Sequence, residues 1–180
     1  KLKLTGDGDR ARVAAVRDGA PDVRLIVDAN ESWGQLDLLS EAEAFAELGV
    51  EMIEQPVPVG ADALLDGVYA PLPFVADESC QTAADVARIG TFYDGVNIKL
   101  DKAGGLTEAL RLADAADAAG LGIMVGCMLS TSLGISPAFV LAQRAQWVDL
   151  DGPALLARDR EDGFRFEDGF IWPATGVQGA

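Results

Sequence analysis

The strongest constraint on this chain is a repeated unit: a short apolar strand ending in a polar or charged residue, then an alanine- and leucine-rich amphipathic stretch. "VRLIVDAN" leads to a helix over 38–48, and "VEMIEQP" to a loop and a short segment over 61–68. "PFVADES" precedes a helix over 83–89, "GVNIKL" one over 106–119, and "LGIMVGC" one over 135–142; "WVDLDGP" comes last. Gly49, Gly90 and Gly120 stand where left-handed helix C-caps are expected. Strand ends recur roughly every 22 to 27 residues, the period of short βα units joined by right-handed crossovers.

Strands covered by helices in this way belong to a parallel sheet. A polar residue at nearly every strand end favours a (β/α) barrel, whose chemistry sits on that rim, over an open doubly wound sheet. No glycine-rich phosphate loop follows any strand, as an open nucleotide-binding sheet would require. Lys1-Leu2-Lys3-Leu4 reads as the end of a strand, which makes seven strands where a closed barrel has eight. The expectation is a partial catalytic barrel over 1–156, cut from a larger protein. A C-terminal hairpin and tail over 157–180 then follow, turning around Glu167-Asp168-Gly169 and packing on a domain outside this sequence.

Composition narrows the function. A formal net charge of −15 leaves no basic surface for nucleic acid, and its spread over helices and loops fits solubility. There is no histidine, so a general base must be Lys, Asp, Glu, Tyr or Cys. Cys80 and Cys127 lack metal-ligand spacing, which fits a reduced, cytoplasmic chain. The uncharged run over 121–142 is broken by Ser130-Thr131-Ser132, Gly134 and Pro137. It reads as strand, loop and packed helix, not as a membrane span.

Three consecutive strands end in carboxylates: Asp28 in "VDAN", Glu54 in "IEQP" and Asp77 in "ADES". Converging at one rim, three hard oxygen donors suit Mg²⁺, or Mn²⁺, rather than zinc. The plainer reading is that each caps the following helix or faces water. Lysines flank the set. Lys1 and Lys3 project on one side of the first strand, and Lys99 lies in "VNIKLDK" after the Asp77 strand. With Val96, Ile98 and Leu100 on one face, Asn97, Lys99 and Asp101 are expected to face the barrel lumen. A surface lysine snorkelling to water is the ordinary alternative. In the lumen, burial and neighbouring cations lower a lysine's pKa and make it available as a base, while the carboxylates compensate its charge.

In this order, Lys-x-Lys, Asp-x-Asn, Glu-Gln-Pro, Asp-Glu-Ser and the lysine of "NIKLDKAGG" resemble the barrel domain of the enolase superfamily, nearest its muconate-lactonizing subgroup. The resemblance covers essentially the whole chain. It implies Asp28, Glu54 and Asp77 as Mg²⁺ ligands, Lys3 and Lys99 as acid–base lysines, and Lys1 as the partner of a substrate carboxylate or enolate oxygen. It also implies Asn30 and Glu78 as residues that orient the ligands and Lys99. A substrate carboxylate would bind the metal, a lysine would take the adjacent proton, and the metal would hold the enediolate. Family members often assemble as dimers or octamers.

The last strand separates subgroups. Asp149 and Asp151 in "VDLDGP" resemble the Asp-x-Asp of dipeptide epimerases, including those acting on L-Ala-D/L-Glu, where the pair holds the substrate's ammonium. A helix-capping Asp before Gly152-Pro153 is the plainer reading. The pattern departs from the subgroup at Ser130 and Thr131, where an acidic residue is often found. The expected function is therefore a two-lysine, Mg²⁺-dependent epimerase acting on a dipeptide. The alternatives are a cycloisomerase or o-succinylbenzoate synthase of the same superfamily, a Schiff-base lyase or aldolase using Lys99, and a non-catalytic barrel that binds through its acidic rim.

Overall fold

The computed structural model describes residues 1–173. Seven strands form one sheet in sequence order, every neighbouring pair parallel. They are β1 (Leu2–Lys3), β2 (Leu25–Asp28), β3 (Val50–Glu54), β4 (Phe74–Ala76), β5 (Gly95–Ile98), β6 (Gly122–Gly126) and β7 (Trp147–Asp149). Between them run α1 (Asp9–Gly19), α2 (Leu38–Glu47), α3 (Val86–Ile89), α4 (Leu100–Ala103), α5 (Leu106–Ala118) and α6 (Ser132–Ala142). The barrel of βα units is as expected. Helix α1 was not singled out in the sequence, and α6 starts at Ser132, three residues earlier than its apolar run suggests.

Other details differ from expectation. Gly49 and Gly120 are left-handed, with φ of 71° and 73°, but Gly90 closes α3 in the right-handed region at φ −65°. Strand β5 stops at Ile98, so "VNIKLDK" is a strand followed at once by a helix. Asp101 lies on α4 and is exposed rather than in the lumen. The run over 121–142 is strand, loop and helix. Among the described residues no helix is long and apolar enough to cross a membrane.

The sheet has two differently filled faces. Outward residues such as Leu25, Val27, Val50, Ile53, Val96 and Ile98 pack with Phe45, Leu112 and Leu141 of the helices into the main core. Inward, Met52, Val75 and Met124 form a second cluster with Ile26 and Trp147. This apolar plug fills the lumen beneath the rim, as packed side-chain layers do in barrels.

A register shift decides what stands above the plug. Leu25 pairs with Val50 but Val27 with Ile53, so β3 carries one extra residue. On strict alternation Glu54 would share the outward face of Val50. The irregularity re-phases the strand, turning Met52 and Glu54 inward and setting Glu54 opposite Asp28.

The C-terminal hairpin pairs β8 (Arg165–Glu167) with β9 (Phe170–Trp172) through Asp168 and Gly169, both at positive φ, as a tight hairpin turn requires. Phe164 and Ile171 pack against the main core. Residues 174–180 of the expected tail lie outside the described residues.

Candidate active site

The strand ends converge. One carboxylate oxygen from each of Asp28, Glu54 and Asp77 lies within 4.8 Å of the other two, and all three residues are buried. Neighbouring elements hold each in place: the Asn30 backbone N–H donates to Asp28 Oδ1 at 2.9 Å, and Asn97 Nδ2 to Glu54 Oε1 at 2.7 Å. Glu54 Oε2 and Asp77 Oδ1 are buried and accept no hydrogen bond of good geometry, each facing an ammonium as an ion pair, Lys1 at 2.7 Å and Lys102 at 2.6 Å. Hard carboxylate oxygens, buried, compactly grouped and with no histidine or thiolate among them, fit a divalent ion such as Mg²⁺, whose ligands sit at about 2.1 Å in an octahedron.

Cationic side chains surround the group. Lys3 Nζ lies 2.5 Å from Asp28 Oδ2, and Lys99 Nζ lies 2.6 Å from Asp77 Oδ2. Because β1 and β5 flank β2, β3 and β4 in the sheet, the two amines stand on opposite flanks of the carboxylates. Lys1 Nζ is within 2.7 Å of Glu54 Oε2 and 3.1 Å of both Asp28 Oδ2 and Asp149 Oδ2. The Glu54 contact is an ion pair without hydrogen-bond geometry.

Titration behaviour corrects the expectation for lysine. Burial alone would lower the Lys99 pKa. The charge of Asp77, its hydrogen bond and the charge of Glu54 outweigh burial, so the ammonium is held above its ordinary value. Lys1 is likewise raised: burial opposes, but Glu54, Asp28 and Asp149 dominate. Glu54 moves the other way for a carboxyl. Burial over the apolar plug, with repulsion from Asp28 and Asp77, pushes it up to about 7 against the pull of Lys1. Asp77 is lowered, since Lys102 and Lys99 overcome its burial.

Four contributors were missed in the sequence. Lys102 on α4 places Nζ 2.6 Å from Asp77 Oδ1 and donates to the carbonyls of Asp77, Cys80 and Asn97 at 2.5–3.0 Å. Lys99 is extended and only Leu100–Ala103 is helical, so no single period in the sequence relates the two lysines. Asn97 holds Glu54, as the lumen-facing alternation of β5 allows. Gly126 ends β6 where an added Cβ would come within 2.8 Å of Asn97 Oδ1 and 3.1 Å of Lys99 Cε. Gln55 is wholly buried at a positive φ of 33°.

The remaining candidates are placed less centrally. Asn30 is exposed and reaches Asp28 through its backbone. Glu78 Oε2 is buried without a partner, and burial followed by repulsion from Asp77 raises its pKa; among the described residues Lys99 donates to Asp77 rather than to Glu78. Asp149 contacts Lys1. Asp151 lies beyond β7, exposed, and makes no side-chain capping bond. Both line one cavity of about 330 Å³ against the hairpin residues Phe166 to Ile171. Ser130 and Thr131 sit in the loop before α6.

The sequence matches the family model described as enolase C-terminal domain-like over residues 1–177. The chain belongs to that family. Among curated members, L-Ala-D/L-Glu epimerase of Escherichia coli (strain K12) is 48% identical over 169 residues, 94% of this chain and 53% of the relative. N-acetyl-D-glutamate racemase of Pseudoalteromonas sp. is 46% identical over 173 residues, 96% and 55%. An enolase family member from Agrobacterium tumefaciens with homology to dipeptide epimerases, solved with sodium and L-Ala-L-Glu, superposes with a TM-score of 0.91. It is 47% identical, over 97% of this chain and 54% of that one. The chain spans about half the length of the curated relatives it matches. The two curated relatives are named as an epimerase and a racemase, which are isomerases.

Proposed function

We propose that the protein is a Mg²⁺-dependent isomerase, with Mn²⁺ as a substitute, that inverts the α-carbon of a dipeptide's C-terminal residue by 1,1-proton transfer. The observation that carries this reading is the placement of two amines, Lys3 and Lys99, on opposite flanks of one three-carboxylate group. Inversion needs proton removal from one face and return on the other, and two bases on two sides supply that.

Asp28, Glu54 and Asp77 would hold the cation. Bound there, it supplies the positive charge that makes the proton beside a substrate carboxylate acidic. Asn97 and the Asn30 backbone N–H fix two of the three carboxylates. Lys3 and Lys99 take and return the proton, the neutral one acting as base and the charged one as acid. Beside Asp77 and Glu54, Lys99 is held as the ammonium against burial and the charge of Lys1, the form that returns a proton. Lys1 faces the charge that develops on the substrate's carboxylate oxygens. Asp149 and Asp151 would receive the dipeptide's ammonium in the cavity they share.

A second reading is favoured by the Lys1–Asp149 contact. Asp149 already faces a cation, which lowers its value for binding an ammonium and suits an N-acylated amino acid. The relative named N-acetyl-D-glutamate racemase makes that substrate class concrete.

The full-length protein, incubated in D₂O with L-Ala-L-Glu or N-acetyl-glutamate, separates the readings by which substrate gains deuterium. Lys3→Ala and Lys99→Ala should each abolish inversion, while one of them still exchanges the α-proton of a single epimer. Full turnover by both variants would end the two-base reading.

A further inference from the structure

Gln55 follows Glu54 directly and touches all three carboxylate-bearing turns. Its backbone carbonyl accepts from the Glu31 N–H at 2.8 Å, in the turn after Asp28. Its side-chain Oε1 accepts from the backbone N–H groups of Asp77 and Ser79 at 2.9 and 3.1 Å, inside the turn that carries the third carboxylate. Nε2 shares its two protons among Val57 O, Ser79 Oγ and Tyr93 OH, at 2.8, 2.9 and 3.0 Å.

The amide is in turn anchored from behind. Ser79 Oγ and Tyr93 OH both donate to Asp62 Oδ1, at 2.6 and 2.9 Å, and Arg88 pairs with Asp62 Oδ2 at 2.8 Å. Arg88 also donates to the Ser79 carbonyl at 2.7 Å. Every polar atom of the Gln55 side chain is thus satisfied inside the protein, and the residue is wholly buried. Its positive φ of 33° is a conformation that a glutamine adopts only where the surroundings over-determine it. The five hydrogen bonds of its carboxamide are those surroundings.

We propose that Gln55 is a positioning residue: its carboxamide fixes the separation of the Glu54 and Asp77 turns, and so sets which size of divalent cation the carboxylates accept. The inference rests on the metal-binding reading of these carboxylates. Gln55 does not touch the site oxygens; it acts through the backbone on either side of them. Mg²⁺ requires a near-ideal octahedron at about 2.1 Å, whereas Ca²⁺ tolerates irregular shells at about 2.3–2.6 Å. Loosening the turns therefore penalises the smaller ion more.

The test titrates Mg²⁺ and Ca²⁺ separately into the full-length protein without substrate, by calorimetry, and records urea unfolding alongside. Gln55→Met keeps the length of the side chain and removes its hydrogen bonds. It should raise the Kd for Mg²⁺ about tenfold, the scale seen for residues that orient metal ligands, and the Kd for Ca²⁺ by clearly less. Equal weakening of both ions, or lost stability with an unchanged Mg²⁺/Ca²⁺ ratio, would overturn the proposal and leave Gln55 a purely structural residue. If Gln55→Met does not fold, Tyr93→Phe removes one partner of the amide and should shift the ratio the same way by a smaller factor; an unchanged ratio overturns the proposal there too. Failure of the wild-type protein to bind Mg²⁺ is a separate outcome that removes the metal reading itself.

Discussion

Lys1 and Asp149 belong to opposite ends of the sheet, yet Lys1 Nζ lies 3.1 Å from Asp149 Oδ2. Strands β1 and β7 are not hydrogen-bonded to each other. The curl of seven twisted parallel strands alone brings the two edges within reach of one side chain. The contact links the carboxylate group, through Lys1, to the cavity beside the hairpin.

Removing that link has a substrate-dependent consequence. Asp149→Asn in the full-length protein should lower kcat/KM for L-Ala-L-Glu by about 10- to 100-fold, the range of one lost charge-assisted hydrogen bond. N-acetylated glutamate, which has no ammonium, should lose much less. Steady-state kinetics on the two substrates checks this, and equal losses would place Asp149 outside ammonium recognition.

Gly126→Ala should injure chemistry more than folding. The new Cβ would stand 2.8 Å from Asn97 Oδ1 and 3.1 Å from Lys99 Cε. Overpacking of this kind costs about 1–3 kcal/mol of stability. Displacing the amine by about 1 Å can cost about 100-fold in kcat. Turnover and urea denaturation measured together decide it; unchanged kcat would mean that Lys99 has room to spare.

Lys102→Met and Lys3→Met should differ sharply in stability. The Lys102 side chain is 17% exposed and satisfies three backbone carbonyls as well as Asp77, so its loss leaves buried acceptors unpaired. About 3–5 kcal/mol is expected. The Lys3 side chain is 60% exposed, and its ion pair with Asp28 should be worth less than about 1 kcal/mol. Chemical denaturation that finds equal costs would contradict the placement of Lys102.

Cation binding should be coupled to a proton on Glu54. Its carboxyl is pushed up to about 7 from an ordinary 4.5, so the folded protein holds the proton more tightly than the unfolded chain. Without divalent cation, the stability from that proton is complete below about pH 4.5 and is lost as pH rises through about 7. Mg²⁺ needs the ionised carboxylate, so binding should strengthen from pH 5 to 7 and then level off. At pH 6 it should release close to one proton, read from calorimetry in buffers of different ionisation enthalpy. A pH-independent Kd across that range would contradict a protonated Glu54.

Much of the site was legible because barrel chemistry sits at strand ends, and strand ends can be found from apolar runs. Asp28, Glu54, Asp77, Lys3 and Lys99 all stand at or just past the ends of their strands, as their spacing suggests. Asp151 stands past the end of β7 and lines the same cavity as Asp149 from a turn, a placement that strand alternation does not describe. Asp101 failed because alternation was extended past Ile98, where the strand has already ended. The lowered lysine pKa was misjudged because the carboxylates were credited with tolerating the charge but not with raising the pKa, which Asp77 at 2.6 Å does.

By itself the sequence determined the order of the chemical groups around the rim, since in a parallel barrel chain order is spatial order. Tertiary structure alone decided their facing and their charge. The extra residue in β3 turns Glu54 inward, and Lys102 and Gln55 reach the site from a helix and a left-handed turn that no period describes. Facing depends on register between strands, and protonation depends on distances between residues more than 20 positions apart; both come into being only when the sheet curls.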